Sequence, residues 1–324
     1  MVARLRQWAA RRGFTLVELL AAMTIGLLIL GAASTFAINT WRTQSRGQAG
    51  EDTTRRARYL GTSLQRDIGE VGVLVNSRPT FGTVNLFNDT LAMIRVPTRD
   101  TVISPQYFLR NLSPSPAIGM GSCGADCIEV GKRGGRVEIQ AGEVFLLNAP
   151  GNVSRVMLAT AVLDPAPSDT NATVRITFLN TLDSLFHWPA RLTGVQLSAG
   201  ASAQRLGLAA YFRDRSADTT VLMRSSQFNS LGQFIPTILT TGVLDFQAQI
   251  QFANGAVADA AVPADTARNY CAISNVMVNA TLTTDRPADP RIAASAAVTR
   301  PFQWNYVARN LVFQRNARRN RPCT

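Results

Sequence analysis

The chain has 324 residues, a formal net charge of +12, and a hydrophobic share of 46%. That length suits one large domain or two ordinary ones, and the apolar share is enough for a sizeable core, which excludes disorder as the default. Arginine carries almost all of the positive charge, because Lys132 is the only lysine, and the excess is diffuse enough to read as a solvated surface.

The N-terminal stretch RRGFTLVELLAAMTIGLLILG comes first. Arg4, Arg6, Arg11 and Arg12 precede Phe14, and removing them would lower the formal charge to +8. The twenty residues from Leu19 to Ile38 carry no charge, which is long enough for a bilayer-spanning helix. The leading arginines place the N-terminus in the cytoplasm and the remainder outside. No A-x-A-like site follows the apolar run, so an ordinary secretory signal fits poorly. Glu18 is the anomaly. An acid costs about 2.5–3.5 kcal/mol at a bilayer centre, and the next cation after it is Arg42. A cut between Gly13 and Phe14 would create an amine one helical turn from Glu18. That amine could neutralise the acid within one helix or between neighbours.

On these residues the segment resembles the class III leader of type IV pilins and type II secretion pseudopilins. The resemblance implies cleavage after Gly13 and N-methylation of Phe14 by a prepilin peptidase. It also implies that Glu18 pairs with the methylated amine of an adjacent subunit during fibre assembly. Thr35 stands where many major pilins carry a proline, so the kink at that point is not expected.

Helical spacing resumes beyond the span. Leu60, Leu64, Ile68, Val71 and Val75 form one apolar stripe, with Arg55, Arg56, Arg58, Arg66 and Asp67 largely on other faces. No proline intervenes between Phe14 and Pro79, so the spacing predicts a helix from about Thr15 to Asn76, about 90 Å long. Gly47 and Gly50 mark the place where it should loosen. The expected organisation is a leader over 1–13, a transmembrane segment over 14–38, an amphipathic helical half over 39–76, and a β-rich body over 77–324.

After Pro79 the pattern turns to short β-like runs: TLAMIRV, RVEIQAGEVFLL, SRVMLATAVL, ATVRITFL, LGLAAYFR and TVLMRSS. Three later segments alternate with period two. Leu244, Phe246, Ala248, Ile250 and Phe252 form one dry face, Val276, Val278, Ala280 and Leu282 another, and Phe302, Trp304, Tyr306 and Ala308 a third, with a bulge or strand end near Asn310. The predicted class is α+β: a long N-terminal helix packed on an antiparallel sheet, within an enlarged β-rich body. The C-terminal third resembles PilW-type minor pilins and J-type pseudopilins, including the Val307–Asn310 run. The length favours the PilW-like side, with an enlarged or inserted β-subdomain around 79–230.

Four cysteines in an exported chain suggest disulfides, and three connectivities are open. The pairing expected here is Cys123–Cys127 and Cys271–Cys323. His187 is the lone histidine, and FHWP gives it no nucleophile or acid, so no catalytic or metal role is assigned to it. Asp164, Asp169 and Asp183 lie in turn-rich sequence without a calcium-loop pattern. GKRGG lacks P-loop spacing and reads as a hairpin turn. No cofactor or enzymatic role is expected. Arg315, Arg318, Arg319 and Arg321 crowd the C-terminus. They form a possible DNA-contacting patch, but without interleaved aromatics a solvated tail held by Cys323 is the preferred reading.

The resemblance implies a minor pilin that primes assembly of a type IV pilus and helps form its tip complex. The alternatives are a pseudopilin of a type II secretion system and a DNA-uptake or adhesive pilin. Its partners would be other minor pilins, the major pilin, the prepilin peptidase and the inner-membrane assembly platform, with membrane lipid before assembly. It would sit in a bacterial inner membrane first, then in a surface pilus or periplasmic pseudopilus.

Overall fold

The computed structural model describes residues 15–87, 89–99, 102–110, 127–149, 153–179, 183–186, 200–214, 220–287 and 297–318. By internal contacts the chain divides into two units, Met1–Asp52 with Arg286–Val298, and Thr53–Asp285 with Thr299–Thr324.

The first unit holds most of helix α1, which runs Leu16–Gly69. Side chains such as Leu16, Met23, Leu28 and Phe36 are exposed all along its N-terminal portion. The helix is unbroken through Gly47 and Gly50, contrary to the expected loosening. Each glycine costs about 1 kcal/mol relative to alanine, which hydrogen bonds propagating from both sides outweigh.

The end of α1 belongs to the second unit. Leu60, Leu64 and Ile68 are fully buried, as the stripe predicted, and so are Val71 and Val75. The last two are not helical, however. The helix stops at Gly69 rather than near Asn76, because Gly72 takes φ +69° and Leu74 φ +56°, which no right-handed helix contains. Gly72 then donates to the Ile94 carbonyl at 3.1 Å, and Val96 to that of Val73 at 3.0 Å, so the buried stripe continues as an irregular segment against a strand. Asp67, expected on a polar face, is instead buried at 4% exposure.

The strands follow in order: β1 (Val84–Phe87), β2 (Thr90–Arg95), β3 (Thr98–Arg99), β4 (Val102–Ile103), β5 (Gln106–Phe108), β6 (Cys127–Gly131), β7 (Val144–Ala149), β8 (Val153–Leu163) and β9 (Thr173–Leu179). After the short helix α2 (Asp183–Phe186) come β10 (Ser202–Arg213), β11 (Val221–Phe228), β12 (Phe234–Thr241), β13 (Val243–Phe252), β14 (Val257–Ala258), β15 (Ile273–Pro287) and β16 (Ala297–Val307), and then helix α3 (Arg309–Ala317). Among the described residues a ten-stranded sheet follows the path β1-β2-β10-β7-β8-β9-β6, with β5, β11 and β12 branching from it. A four-stranded sheet runs β14-β13-β15-β16. The pairings resolved strand by strand are antiparallel.

Strand β10 links two halves of the large sheet. Its residues 202–206 pair with β7, and 202–204 with β5, whereas 207–211 pair with β2 and 210–213 with β11. Two cores adjoin this sheet: one around Phe145, Met157, Ile176 and Tyr107, the other around Phe81, Leu158, Phe186 and Phe228. A third core joins Leu60, Leu64 and Ile68 of α1 to Phe246, Ile250, Val276, Val278 and Leu282 of the small sheet. The fold is therefore α+β, a long helix whose second part packs on an antiparallel sheet within a β-rich body.

Several local expectations need correction. RVEIQAGEVFLL is not one strand, since β7 starts only at Val144, after the Ala141–Gly142 turn. Leu244 is exposed while Val243 is buried, because a bulge between Val243 and Asp245 reverses the side-chain phase. The segment after Val307 folds as helix α3, which takes in the start of the expected solvated tail. The GKRGG run does make a tight turn, with Arg133 and Arg136 bridged. Beside it the Lys132 side chain is wholly enclosed, its Nζ donating to the Ala166 carbonyl at 2.6 Å and that of Asp169 at 2.9 Å, and pairing with Asp164 at 2.9 Å.

Candidate assembly site

Helix α1 opens on T-x-x-E. The Thr15 backbone N–H donates to Glu18 Oε2 at 3.0 Å, and its hydroxyl donates to the same oxygen at 3.0 Å. Glu18 N–H donates back to Thr15 Oγ1 at 3.3 Å. This is a capping box, which satisfies two of the helix's orphan donors and fixes the carboxylate over the first turn. Both bonds to the carboxylate use Oε2. The motif is legible in the sequence as the local spacing Thr15-x-x-Glu18. Gly13 and Phe14 lie outside the described residues.

The helix beyond this cap is long and apolar enough to cross a membrane, and its most apolar window has no buried residue. Glu18 thus stands at the head of an exposed apolar helix.

At its other end α1 is fastened by charge. Asp67 accepts from Arg224 of β11 (Nε at 2.8 Å, Nη2 at 3.2 Å) and from the Tyr211 hydroxyl of β10 at 2.5 Å. Arg95 of β2 stands 3.8 Å from Asp67 and also pairs with Glu70. Burial, with the neighbouring Asp67 charge, pushes the Tyr211 phenol far up. Burial alone would lower Arg224, but the hydrogen bond to Asp67 holds it above its usual value. A buried carboxylate with this many donors anchors the helix in one register against the large sheet.

Helix α3 closes the same junction. Asn310, Gln314 and Arg318 recur at steps of four. Asn310 Nδ2 donates to the Gly69 and Val71 carbonyls (3.1 and 3.0 Å), and Gln314 Nε2 to those of Gly72 and Val75 (2.8 and 2.9 Å). Arg318 donates to the Ser77 carbonyl at 2.8 Å. The open carbonyls at the end of α1 are thus met by side chains from the C-terminus. Arg315 in the last turn of this helix and Arg318 at its C-cap are half-buried, which corrects the reading of both as a solvated tail. Arg319 and Arg321 lie outside the described residues. Cys127 and Cys271 are each disulfide-bonded. Cys123, Cys323 and His187 lie outside the described residues, so the pairing stays a proposal.

An exposed apolar helix with a fixed acid at its head and a β-rich body at its tail defines a helix-anchored, pilin-like subunit. Residues 8–34 match the prokaryotic N-terminal methylation motif, so the chain carries a prepilin-type signal of the kind found in type IV pilin-like and pseudopilin proteins. That signal implies processing by a prepilin peptidase, inner-membrane anchoring before assembly, and assembly with pilin machinery. No curated protein matches the chain, and no solved structure does.

Proposed function

We propose that this chain is a PilW-like minor pilin: a structural, non-catalytic subunit that primes a type IV pilus and joins its tip complex with other minor pilins and the major pilin. The observation that carries the reading is the methylation motif over residues 8–34 joined to a capped helix that retains Glu18. An acid kept at the head of an apolar helix has use where another subunit's amine can meet it. The large β-rich body supports the PilW-like side over a compact pseudopilin. A J-like pseudopilin of a type II secretion system is the second reading, since the same leader serves it. Cys123–Cys127 and Cys271–Cys323 are the proposed disulfides.

Intact mass of the protein from cells tests this. The expected species begins at Phe14, carries one added methyl group, and lacks two hydrogens for each disulfide. A species that retains residues 1–13 overturns it. Deleting the gene separates the two readings: lost surface pili support the minor pilin, and lost enzyme secretion with normal pili supports the pseudopilin.

A further inference from the structure

The turn between β8 and β9 carries the run Asp169-Thr170-Asn171-Ala172-Thr173. It has the N-x-T spacing of an N-glycosylation acceptor, with an acid two places ahead of the asparagine. N-x-S/T triplets also begin at Asn88, Asn111, Asn152 and Asn279, and none of those has an acid at that place. Asn88, Asn111 and Asn152 lie outside the described residues. Asn279 lies in β15, between β13 and β16 and opposite Gln247, so its backbone is committed to a ladder.

Asn171 stands differently. It is exposed, in a turn that ends where β9 begins at Thr173. Its backbone N–H donates to Asp169 Oδ1 at 2.8 Å, and that of Ala172 to the Asp169 carbonyl at 3.4 Å, which bends the chain at the asparagine. Lys132 holds the same turn through the Ala166 and Asp169 carbonyls. The acceptor is thus a bent, exposed segment with a defined shape.

We propose that Asn171 is an N-glycosylation site, modified outside the cytoplasm by a transferase that draws on a polyprenyl diphosphate-linked sugar. Asn171 Nδ2 forms the new bond to the sugar C1, and the C1–O bond to the diphosphate breaks. The diphosphate leaves with that electron pair, and the Nδ2 proton passes to a base of the transferase. The Thr173 hydroxyl, two residues on, is the second point such an enzyme reads. The proposal rests on the prepilin-type signal carrying the body out of the cytoplasm.

The test maps peptides of the full chain, purified from its own cells, by mass spectrometry with fragmentation that preserves the sugar linkage. A glycan on Asn171 is expected. Asn171→Gln should abolish it. Thr173→Val keeps the branched shape but removes the hydroxyl and should abolish it too, while Thr173→Ser retains it. Asn171 is exposed in a turn, so its replacement leaves the fold intact, and circular dichroism checks this. A bare Asn171, a sugar on Ser168 or Thr170 in its place, or a glycan that survives Thr173→Val overturns the proposal. The N-terminal peptide of the same digest reads the leader separately. A chain that begins at Phe14 with a bare Asn171 overturns this site alone, and a chain that keeps residues 1–13 overturns the proposed function.

Discussion

Arg224 grips both carboxylate oxygens of Asp67, 157 positions earlier in the chain, through Nε at 2.8 Å and Nη2 at 3.2 Å. Asp67 is buried at 4% exposure and Arg224 is part-exposed, so the carboxylate has more to lose. Replacing Arg224 with alanine removes the forked partner of the buried charge, leaving Tyr211 and the more distant Arg95, and is expected to cost about 3 kcal/mol, the low end for a broken buried pair. Tyr211→Phe, which removes one hydrogen bond, should cost about 1 kcal/mol. Denaturant midpoints of the full chain in micelles measure both. An Arg224→Ala effect no larger than that of Tyr211→Phe would count against the anchoring role.

Gln314 holds two carbonyls of the segment that follows α1. Gln314→Ala should cost about 1–3 kcal/mol, the desolvation cost of the unpaired groups. It should also speed amide exchange locally around residues 70–77. Exchange that rises evenly across the body instead would mean that α3 contributes general packing and not a specific clamp.

Burial raises the phenols of Tyr107, Tyr211, Tyr270 and Tyr306 above the usual 10.0, Tyr306 to about 12. Above pH 10.0 the unfolded chain releases these protons while the folded chain keeps them, so the folded state binds more protons there. Their contribution to stability is whole below that pH and is lost as pH rises through the folded values. Tyr211→Phe should flatten the alkaline loss, with phenolate absorbance as the readout. Phenols ionising together in the ordinary range while the body stays folded would refute this.

Thr15 and Glu18 lock one another across the first turn. Glu18→Val should leave membrane insertion intact and lower incorporation into fibres, and a bulky residue at Gly13 should leave the leader attached. Thr15→Val, costing about 1 kcal/mol of capping, should reduce incorporation less than Glu18→Val, with Thr15→Ser restoring it. Immunogold counts and intact mass check these outcomes. Unchanged incorporation of the Glu18→Val chain rejects the pairing role.

The repeating parts of the fold were legible in the sequence. Leu60, Leu64 and Ile68 declared the buried face of α1, and Val276 through Leu282 a half-buried strand, because side-chain periodicity is local. What stayed hidden depends on distant partners. Asp67 reads as surface until Tyr211 and Arg224 are known to converge on it. The bulge that turns Leu244 outward depends on its pairing with β15, and QRNAR looks solvated until Gln314 and Arg318 meet the carbonyls that follow α1. At the candidate site the family pattern pointed to Glu18. The capping box needs only the local T-x-x-E spacing, so Thr15 is as legible there as Glu18.

Lys132 has one further consequence. Its ammonium group, the only one any side chain supplies, is sealed beneath the Asp164–Asp169 turn. An acylating dye applied to the native protein therefore has no ready access to it. Amine labelling of the folded body should stay low and rise on unfolding, when Lys132 is released.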